Sequence, residues 1–337
     1  MGRSLAVSVV NTRQWSWLEP CLQSVLDHPY RAGPFEVVVL DNASDDGSVD
    51  RLRERFPDVR VIAETTRRGF GANHGIVAAA VDADLVLFLN PDTLMQEATM
   101  DRLALSFDAD DRVVAAGGPI ISPDGEVWRA APFPFPTPWG AVREAVGWHR
   151  RSAPAVAPEG LSLGAWWLSG SAIMVDRRVF LACGGFDPRF FLYFEETDLA
   201  KRLTEAGGLF AFASDAPIVH EGQTTERAVD AGRPSGPAET KTTTEFERSA
   251  VAYMRKHFGW GGALFYRGAL LLGGSGRWLA TYSPPVARRM QTKGGSPEAT
   301  RRHHRRRAGV ALRPTSGTSI GDAAAAWNQQ HHERLGG

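Results

Sequence analysis

LAVSVVNTRQWSWLEPCLQSVLDHPYRAGPFEVVVLD, residues 5–41, decides the fold. Leu5 to Val10 is an apolar, β-branched run of strand length. Trp17 to Leu26 then sets Leu18, Cys21, Leu22, Val25 and Leu26 at helical spacing, and Phe35 to Leu40 is a second buried strand. Strand, helix, strand is a βαβ unit, which makes the two strands parallel neighbours with a right-handed crossover between them. The alternation continues outward. Asp45 to Phe56 reads as a helix after an Asn/Ser/Asp/Gly turn, Val59 to Ala63 as a third strand, Gly71 to Ala80 as a helix and Leu85 to Leu89 as a fourth strand. The expected class is α/β with a mostly parallel central sheet.

Beyond Asp110 the pattern loosens. Arg112 to Ala116 is strand-like, Pro123-Asp124-Gly125 is a turn, and the Pro/Phe-rich stretch Pro132 to Pro138 cannot be a regular helix. The middle of the chain is therefore read as an insertion or a mobile loop. Regular structure resumes at Ala172 to Val175, and Glu195 to Ala206 is a helix closed by Gly207-Gly208. From about Thr292 the chain is rich in Gly, Ser, Arg and His without periodicity, the composition of a disordered basic tail.

A chain of 337 residues with 43% hydrophobic content can bury a real core as one large domain or two. The formal net charge is zero, with the basic excess towards the C-terminus, so the overall balance does not call for nucleic acid. The two cysteines, Cys21 and Cys183, are far apart and lack metal-ligand spacing, which fits a reducing cytoplasm. LAVSVV at the N-terminus reads as a strand and not as a signal peptide, and the apolar stretch GALFYRGALLLGG is interrupted by Arg267 and too short to span a bilayer.

Five fragments carry the chemistry, in the order VVVLDNAS, LFLNPDT, WLSGS, FLYFEETDL and IVHEG. Three follow apolar runs, which is expected to put Asp41, Asp92 and His220 at strand ends along one sheet edge, where open α/β sheets bind ligands. Asp41 either accepts hydrogen bonds from a ribose or base, or caps the following turn. Asn90 and Asp92 flank Pro91 in a turn that is either plain or offers oxygens to a hard divalent cation. Glu195, Glu196 and Asp198 suit a helix N-terminus, with Asp198 also four residues from Arg202. The aromatic run before them would desolvate a carboxylate and raise its pKa, as a general base requires. His220 is either a structural histidine or a metal ligand.

These fragments, in this order over residues 5 to 230, resemble the inverting family 2 glycosyltransferases, and within them the bacterial rhamnosyltransferase-like group. The strongest match is WLSGSAIMVDRRVFLACGGFDPRFFLYFEETDL, similar to that group's W-L-S-G-x-x-x-x-x-R followed by GGFDExFFxYxEDxDL. The resemblance implies a GT-A type nucleotide-binding domain with a mostly parallel central sheet, a nucleotide-sugar donor, and a glycan or lipid-linked acceptor. It also implies a divalent cation, Mg2+ or Mn2+. By the same resemblance Asn11, Asp41, Asn42, Gly69, Asn73, Asn90 and Asp92 would contact the donor. Asp92 and His220 would hold the metal, Trp167, Ser169 and Gly170 would face the acceptor, and Glu196, with Glu195 beside it, would be the base. The departures are specific. Asn11-Thr12-Arg13 stands where the group has N-x-N or T-Y-N, Glu196 replaces an Asp, and Gly69 to Gly75 is two residues shorter than G-F-x-x-A-N-N-x-G.

The expected organisation is a glycosyltransferase domain at 1–230, with a nucleotide-binding part to about 110 and an acceptor-binding part at 111–230, then a helical extension at 231–290 and the tail at 291–337. The reaction that the resemblance implies is transfer of L-rhamnose from dTDP-rhamnose, or alternatively of galactofuranose or another hexose from a UDP- or GDP-sugar. Phe258 to Tyr282 mixes Trp260, Leu264, Phe265, Leu270 to Leu272 and Trp278 with Arg255, Lys256, Arg267 and Arg277. It reads either as a helix on the membrane surface, suiting a polyprenyl-linked acceptor and a cytoplasmic enzyme peripheral to the membrane, or as an ordinary packed helix. The Pro/Phe-rich segment after Ala130 is a candidate lid. Two rivals stand outside this class. A nucleotidyltransferase would need a Gly-rich basic loop that Ser8 to Gln14 lacks, and an inactive donor-binding scaffold is permitted by the departures at Arg13 and Glu196. The sequence leaves the oligomeric state open.

Overall fold

The computed structural model describes residues 2–129, 132–145, 160–221 and 237–280, with scattered positions from 282 onward. Most of the tail expected to be disordered lies outside the described residues. The chain divides into two compact units: Met1–Phe135, Ala153–Pro188 and Glu195–Gly222 form the first, and Pro136–Ser152, Arg189–Phe194 and Gln223–Gly337 the second.

The first unit opens with β1 (Leu5–Asn11), α1 (Trp15–Asp27), β2 (Phe35–Asn42), α2 (Ser48–Arg55), β3 (Arg60–Glu64), α3 (Phe70–Ala80) and β4 (Leu85–Leu89). The four strands lie side by side in the order β3-β2-β1-β4, and all are parallel. Every residue of β1 and β4 is buried, as strands covered by helices on both faces require. The period of two divides them cleanly. Leu5, Val7, Val9, Leu85, Leu87 and Leu89 join the core under α1 and α2, while Ala6, Val10, Val86 and Phe88 join the opposite core with α3. In that second core Phe88 meets the rings of Phe180 and Phe186 at 5.0 and 5.1 Å, and truncating a side chain so enclosed costs about 3–5 kcal/mol.

The sheet then turns mixed. After β5 (Thr93–Leu94) and α4 (Thr99–Leu105) come β6 (Val113–Gly117), β7 (Ile120–Ile121) and β8 (Val127–Arg129), which precede α5 (Pro138–Ala145) and β9 (Leu161–Gly164). Next are β10 (Ala172–Asp176), α6 (Arg177–Ala182), α7 (Glu195–Glu205), β11 (Leu209–Ala213) and β12 (Ile218–His220). Strand β10 enters antiparallel between β4 and β6, and β11 and β9 complete eight strands. Asp176 caps α6 by accepting the Val179 amide at 2.9 Å.

One expectation is corrected. His220 does not end a strand of the main sheet; β12 belongs to a second, four-stranded sheet ordered β5-β12-β7-β8. The reason is local, because a three-residue strand that pairs antiparallel with Thr93–Leu94 and parallel with Ile120–Ile121 has its ladder partners there.

The second unit contains α5 and the long helix α8 (Pro237–Ala280). Gly259 breaks α8 with φ 67° and ψ −169°, a conformation open essentially to glycine alone. Phe190, Ala250, Tyr253, Met254, Tyr266 and Leu270 form this unit's core.

Candidate active site

All the site residues read from the sequence fall in the first unit. They gather in three groups.

The first group is the loop end of β1 and β2. The parallel register sets Asn11 opposite Asp41, and the Asn11 amide donates to Asp41 Oδ1 at 2.7 Å and to Ser44 Oγ at 3.1 Å. The Ser44 amide donates to Asp41 Oδ2 at 2.9 Å, so the buried Asp41 carboxylate organises this loop while each oxygen keeps a further lone pair. Arg13, Ala43 and Asp45 all take left-handed φ of 50–56°, a cluster of non-glycine strain of the kind that collects around ligand sites. Arg13 donates to the Ser44 carbonyl and pairs with Asp45, so the residue that departs from the family pattern is built into the loop.

The second group surrounds Arg68. Asn42 accepts the Arg68 amide at 2.8 Å and donates to its carbonyl at 3.1 Å, while Asn73 donates to the same carbonyl at 3.2 Å. Gly69 follows as the N-cap of α3. The short G-F-G-A-N-H-G stretch thus still brings Gly69 and Asn73 beside Asn42. A Cβ on Gly71 would lie 2.6 Å from Phe186 Cβ and 3.4 Å from Glu195 Cβ, so this glycine locks α3 against the later GGFD and EETD motifs. His74, one turn on, shares a proton with Ser8 Oγ at 2.8 Å, and full burial pushes its pKa down to about 3, keeping it neutral.

The third group is the turn after β4. The Thr93 hydroxyl closes the Asn90-Pro91-Asp92 turn on the Asn90 carbonyl at 2.6 Å, and the Asn90 amide bonds the Ser171 carbonyl at 2.8 Å, joining this turn to the Ser169-Gly170-Ser171 loop. In the second sheet His220 pairs with Thr93, and the Glu221 amide bonds the Asp92 carbonyl at 2.8 Å. The result sets His220 Nε2 3.2 Å from Asp92 Oδ1. Among the described residues no set of three or more His, Cys, Asp or Glu side chains gathers as a metal site. One carboxylate and one imidazole suit an ion that takes its remaining ligands from a diphosphate and water, the habit of Mg2+ in phosphate chemistry.

Beside these groups lies the helix start at Glu195. Glu195 is 4% exposed, whereas Glu196 is half-buried and its side chain rests 3.4–3.5 Å from where a Cβ on Gly170 would stand. Asp198 is fully buried on Arg202 at 2.9 Å, and Arg202 also donates to the Cys183 and Gly185 carbonyls. Asp198 is thereby a structural residue, as its spacing from Arg202 suggests. Trp167 stacks on Phe133 with centroids 4.6 Å apart and exchanges two backbone hydrogen bonds with it, so the segment read as a lid is tied at Phe133 to the Trp167-Leu168-Ser169-Gly170 motif. Sequence reasoning missed the hubs of this site. Ser44 stood inside a quoted motif without being singled out, and Arg68 acts through its backbone, which no side-chain pattern reveals.

Residues 4–156 match the model of the family described as "Glycosyl transferase family 2". The chain is 33% identical over 217 residues to an N-acetylglucosaminyl-diphospho-decaprenol L-rhamnosyltransferase of Mycobacterium tuberculosis, across 56% of this chain and 66%, just under two thirds, of the relative. It is 25% identical over 216 residues to the O-antigen biosynthesis protein RfbC of Myxococcus xanthus, across 58% of this chain and 15% of that one. Among solved structures it resembles a mannosyltransferase from Pyrobaculum calidifontis in complex with GDP-Man and Mn2+, with TM-score 0.55 at 17% identity over 94% of this chain and 89% of that chain. A structure of GalNAc-T7 with UDP, GalNAc and Mn2+ superposes with TM-score 0.51 at 15% identity, over 74% of this chain and 47% of the other. These last two likenesses establish a GT-A-like fold.

Proposed function

The chain belongs to glycosyl transferase family 2, and from that premise we propose that it is a metal-dependent, inverting enzyme that transfers L-rhamnose from dTDP-rhamnose. The acceptor is a hydroxyl of a glycan or of a sugar on a polyprenyl diphosphate, in cell-envelope polysaccharide synthesis. Donor and acceptor follow the name of the mycobacterial relative, and the observation that carries the mechanism is the Asp92–His220 pair at the mouth of β4. In this reading residues 1–230 are the transferase domain, with the donor held by the part before about 110. The enzyme works in the cytoplasm and meets a lipid-linked acceptor at the inner membrane face.

Inversion needs in-line attack, a base on the acceptor and relief of charge on the leaving group. Asn11, Asp41 and Asn42 frame the base and ribose end of the donor, and Gly69 and Asn73 support that wall through Arg68. Asp92 and His220 would hold a divalent cation, with Asn90 shaping their turn, and such an ion would supply Lewis-acid relief of the charge on the leaving nucleoside diphosphate. Glu196 takes the proton of the acceptor hydroxyl; the acceptor oxygen bonds the anomeric carbon while the bond from that carbon to the phosphate oxygen breaks, its electron pair leaving with dTDP. Glu196 suits this role better than Glu195 because it is half-buried, with Oε2 enclosed, and lies against Gly170 of the Ser169-Gly170 loop, whereas Glu195 is 4% exposed. Trp167, Ser169 and Gly170 line the acceptor side, with Gly170 leaving room for Glu196.

The test is a panel of nucleotide sugars with and without Mn2+ or Mg2+, on wild type and Glu196→Gln. Metal-dependent release of dTDP from dTDP-rhamnose that collapses in the variant is expected. Turnover of a UDP- or GDP-sugar instead would replace the donor and leave the family reading intact. Binding of a donor without turnover would make the chain a scaffold.

A further inference from the structure

The second half of α8 inverts the usual polarity of a surface helix. Its inner face, with Ala263, Tyr266, Ala269 and Leu270, is buried in the core of the second unit. A helix so packed ordinarily turns charged residues outward. Here every position between Trp260 and Leu279 described as exposed is apolar, glycine or Ser275. Trp260 is 63% exposed, Leu264 60%, Leu272 76% and Leu279 62%, and Phe265 joins them. Trp139 of α5, also exposed, stacks near Phe265 with centroids 6.5 Å apart and widens the patch. A contiguous apolar surface of this kind marks an interaction site.

Charge identifies the partner. Residues 248–321 carry 14 Lys and Arg against a single acidic residue, Glu298, while residues 1–247 carry 35 acidic and 23 basic residues. The overall neutrality of the chain therefore hides a strongly basic segment that contains the apolar face. At its edges the Arg255 guanidinium lies 3.8 Å over the Trp260 ring and that of Arg301 4.2 Å over Tyr282. Indole and phenol rings beside basic heads are the side chains favoured at a membrane–water boundary. Residues 260–279 extend about 30 Å as helix, yet among the described residues no helix is long and apolar enough to cross a membrane.

We propose that this face of α8 docks on an anionic lipid bilayer. Trp260, Leu264, Phe265, Leu272 and Leu279 enter the boundary between headgroups and acyl chains, and the Arg and Lys residues of this segment meet the acidic headgroups. A second copy of the chain is the poorer occupant, because two such faces would bring the same positive excess together. The proposal does not depend on the donor or acceptor assigned above.

The full chain is sedimented with vesicles of phosphatidylcholine alone and of phosphatidylcholine with phosphatidylglycerol. Binding to the phosphatidylglycerol vesicles that weakens with salt is expected, with affinity at least about tenfold lower for Leu264→Gln/Leu272→Gln. Both leucines are exposed, and circular dichroism checks that the variant folds. Independently of any variant, amide exchange across 260–279 should slow when these vesicles are added to wild type. Equal affinity of variant and wild type, or no vesicle binding and no change in exchange, overturns the proposal. So does a lipid-free dimer that the double variant abolishes, which would give the face to a second copy, or salt-insensitive binding equal on both vesicles.

Discussion

His220 Nε2 lies 3.2 Å from Asp92 Oδ1 because two short strands, β5 and β12, pair in the second sheet. Both residues are also fixed through their backbones, since the Glu221 amide bonds the Asp92 carbonyl. The pair is therefore pre-set by the fold.

This arrangement predicts how the two residues differ. Asp92→Asn keeps the turn, which is closed through the Asn90 carbonyl and Thr93, and removes only the charge. Turnover should fall at least about a hundredfold, with the response to added Mn2+ lost, whereas His220→Ala should weaken that response about tenfold. Nucleotide release measured against metal concentration decides it. An Asp92→Asn enzyme with the wild-type metal response would remove Asp92 from the metal site.

The two adjacent glutamates give a sharper contrast. Glu196 is half-buried and rests beside Gly170, while Glu195 is buried beside Gly71. Glu196→Gln should lower kcat about 10²–10⁴-fold with donor affinity kept, the usual worth of a positioned base. Glu195→Gln should act mainly on stability. Single-turnover rates and urea midpoints separate the two, and the reverse pattern would exchange the roles.

Gly71 and Gly170 look alike in the sequence and differ in space. A methyl on Gly71 meets the Cβ of Phe186 at 2.6 Å, a contact that only a backbone shift relieves, so Gly71→Ala should destabilise by about 1–3 kcal/mol. On Gly170 the same methyl reaches ordinary contact with Glu196 at 3.4 Å, so Gly170→Ala should stay within about 0.5 kcal/mol. Gly170→Leu should displace Glu196 and cost about a hundredfold in kcat. Urea unfolding and steady-state rates on the three variants test this, and an unperturbed Gly71→Ala protein would contradict the packing.

These contacts also mark what the sequence makes legible. Strands β1 and β4 read cleanly because full burial on both faces leaves largely apolar runs, and β4 was expected at the residues where it occurs. Asp92 and His220 stood out for the same reason, each trailing such a run. Their meeting did not, because β5, β7 and β12 are two or three residues long and carry no measurable period. Nor did the locking of Gly71 by Phe186, residues 115 positions apart whose contact arises only when α3 and the loop after α6 cover the same sheet face. Chemistry was written in residue types, and assembly in pairings beyond the reach of local pattern.

His74 supplies a prediction in pH. Its imidazole is fully buried, bonded to Ser8 Oγ and edged by Phe70 at 4.4 Å, and its pKa falls from 6.5 to about 3 on burial. Between those values the unfolded chain holds one more proton at this residue than the folded chain, so the stability owed to the neutral ring is complete above pH 6.5 and lost as pH falls. From pH 7 to pH 5 the loss from this group is about 2 kcal/mol. His74→Asn lowers stability at every pH by emptying the space beside Phe88, yet it should flatten this part of the profile by that amount. Urea unfolding at pH 7 and pH 5 on both proteins measures the difference of slopes, and equal slopes would mean that His74 is not held neutral by the fold.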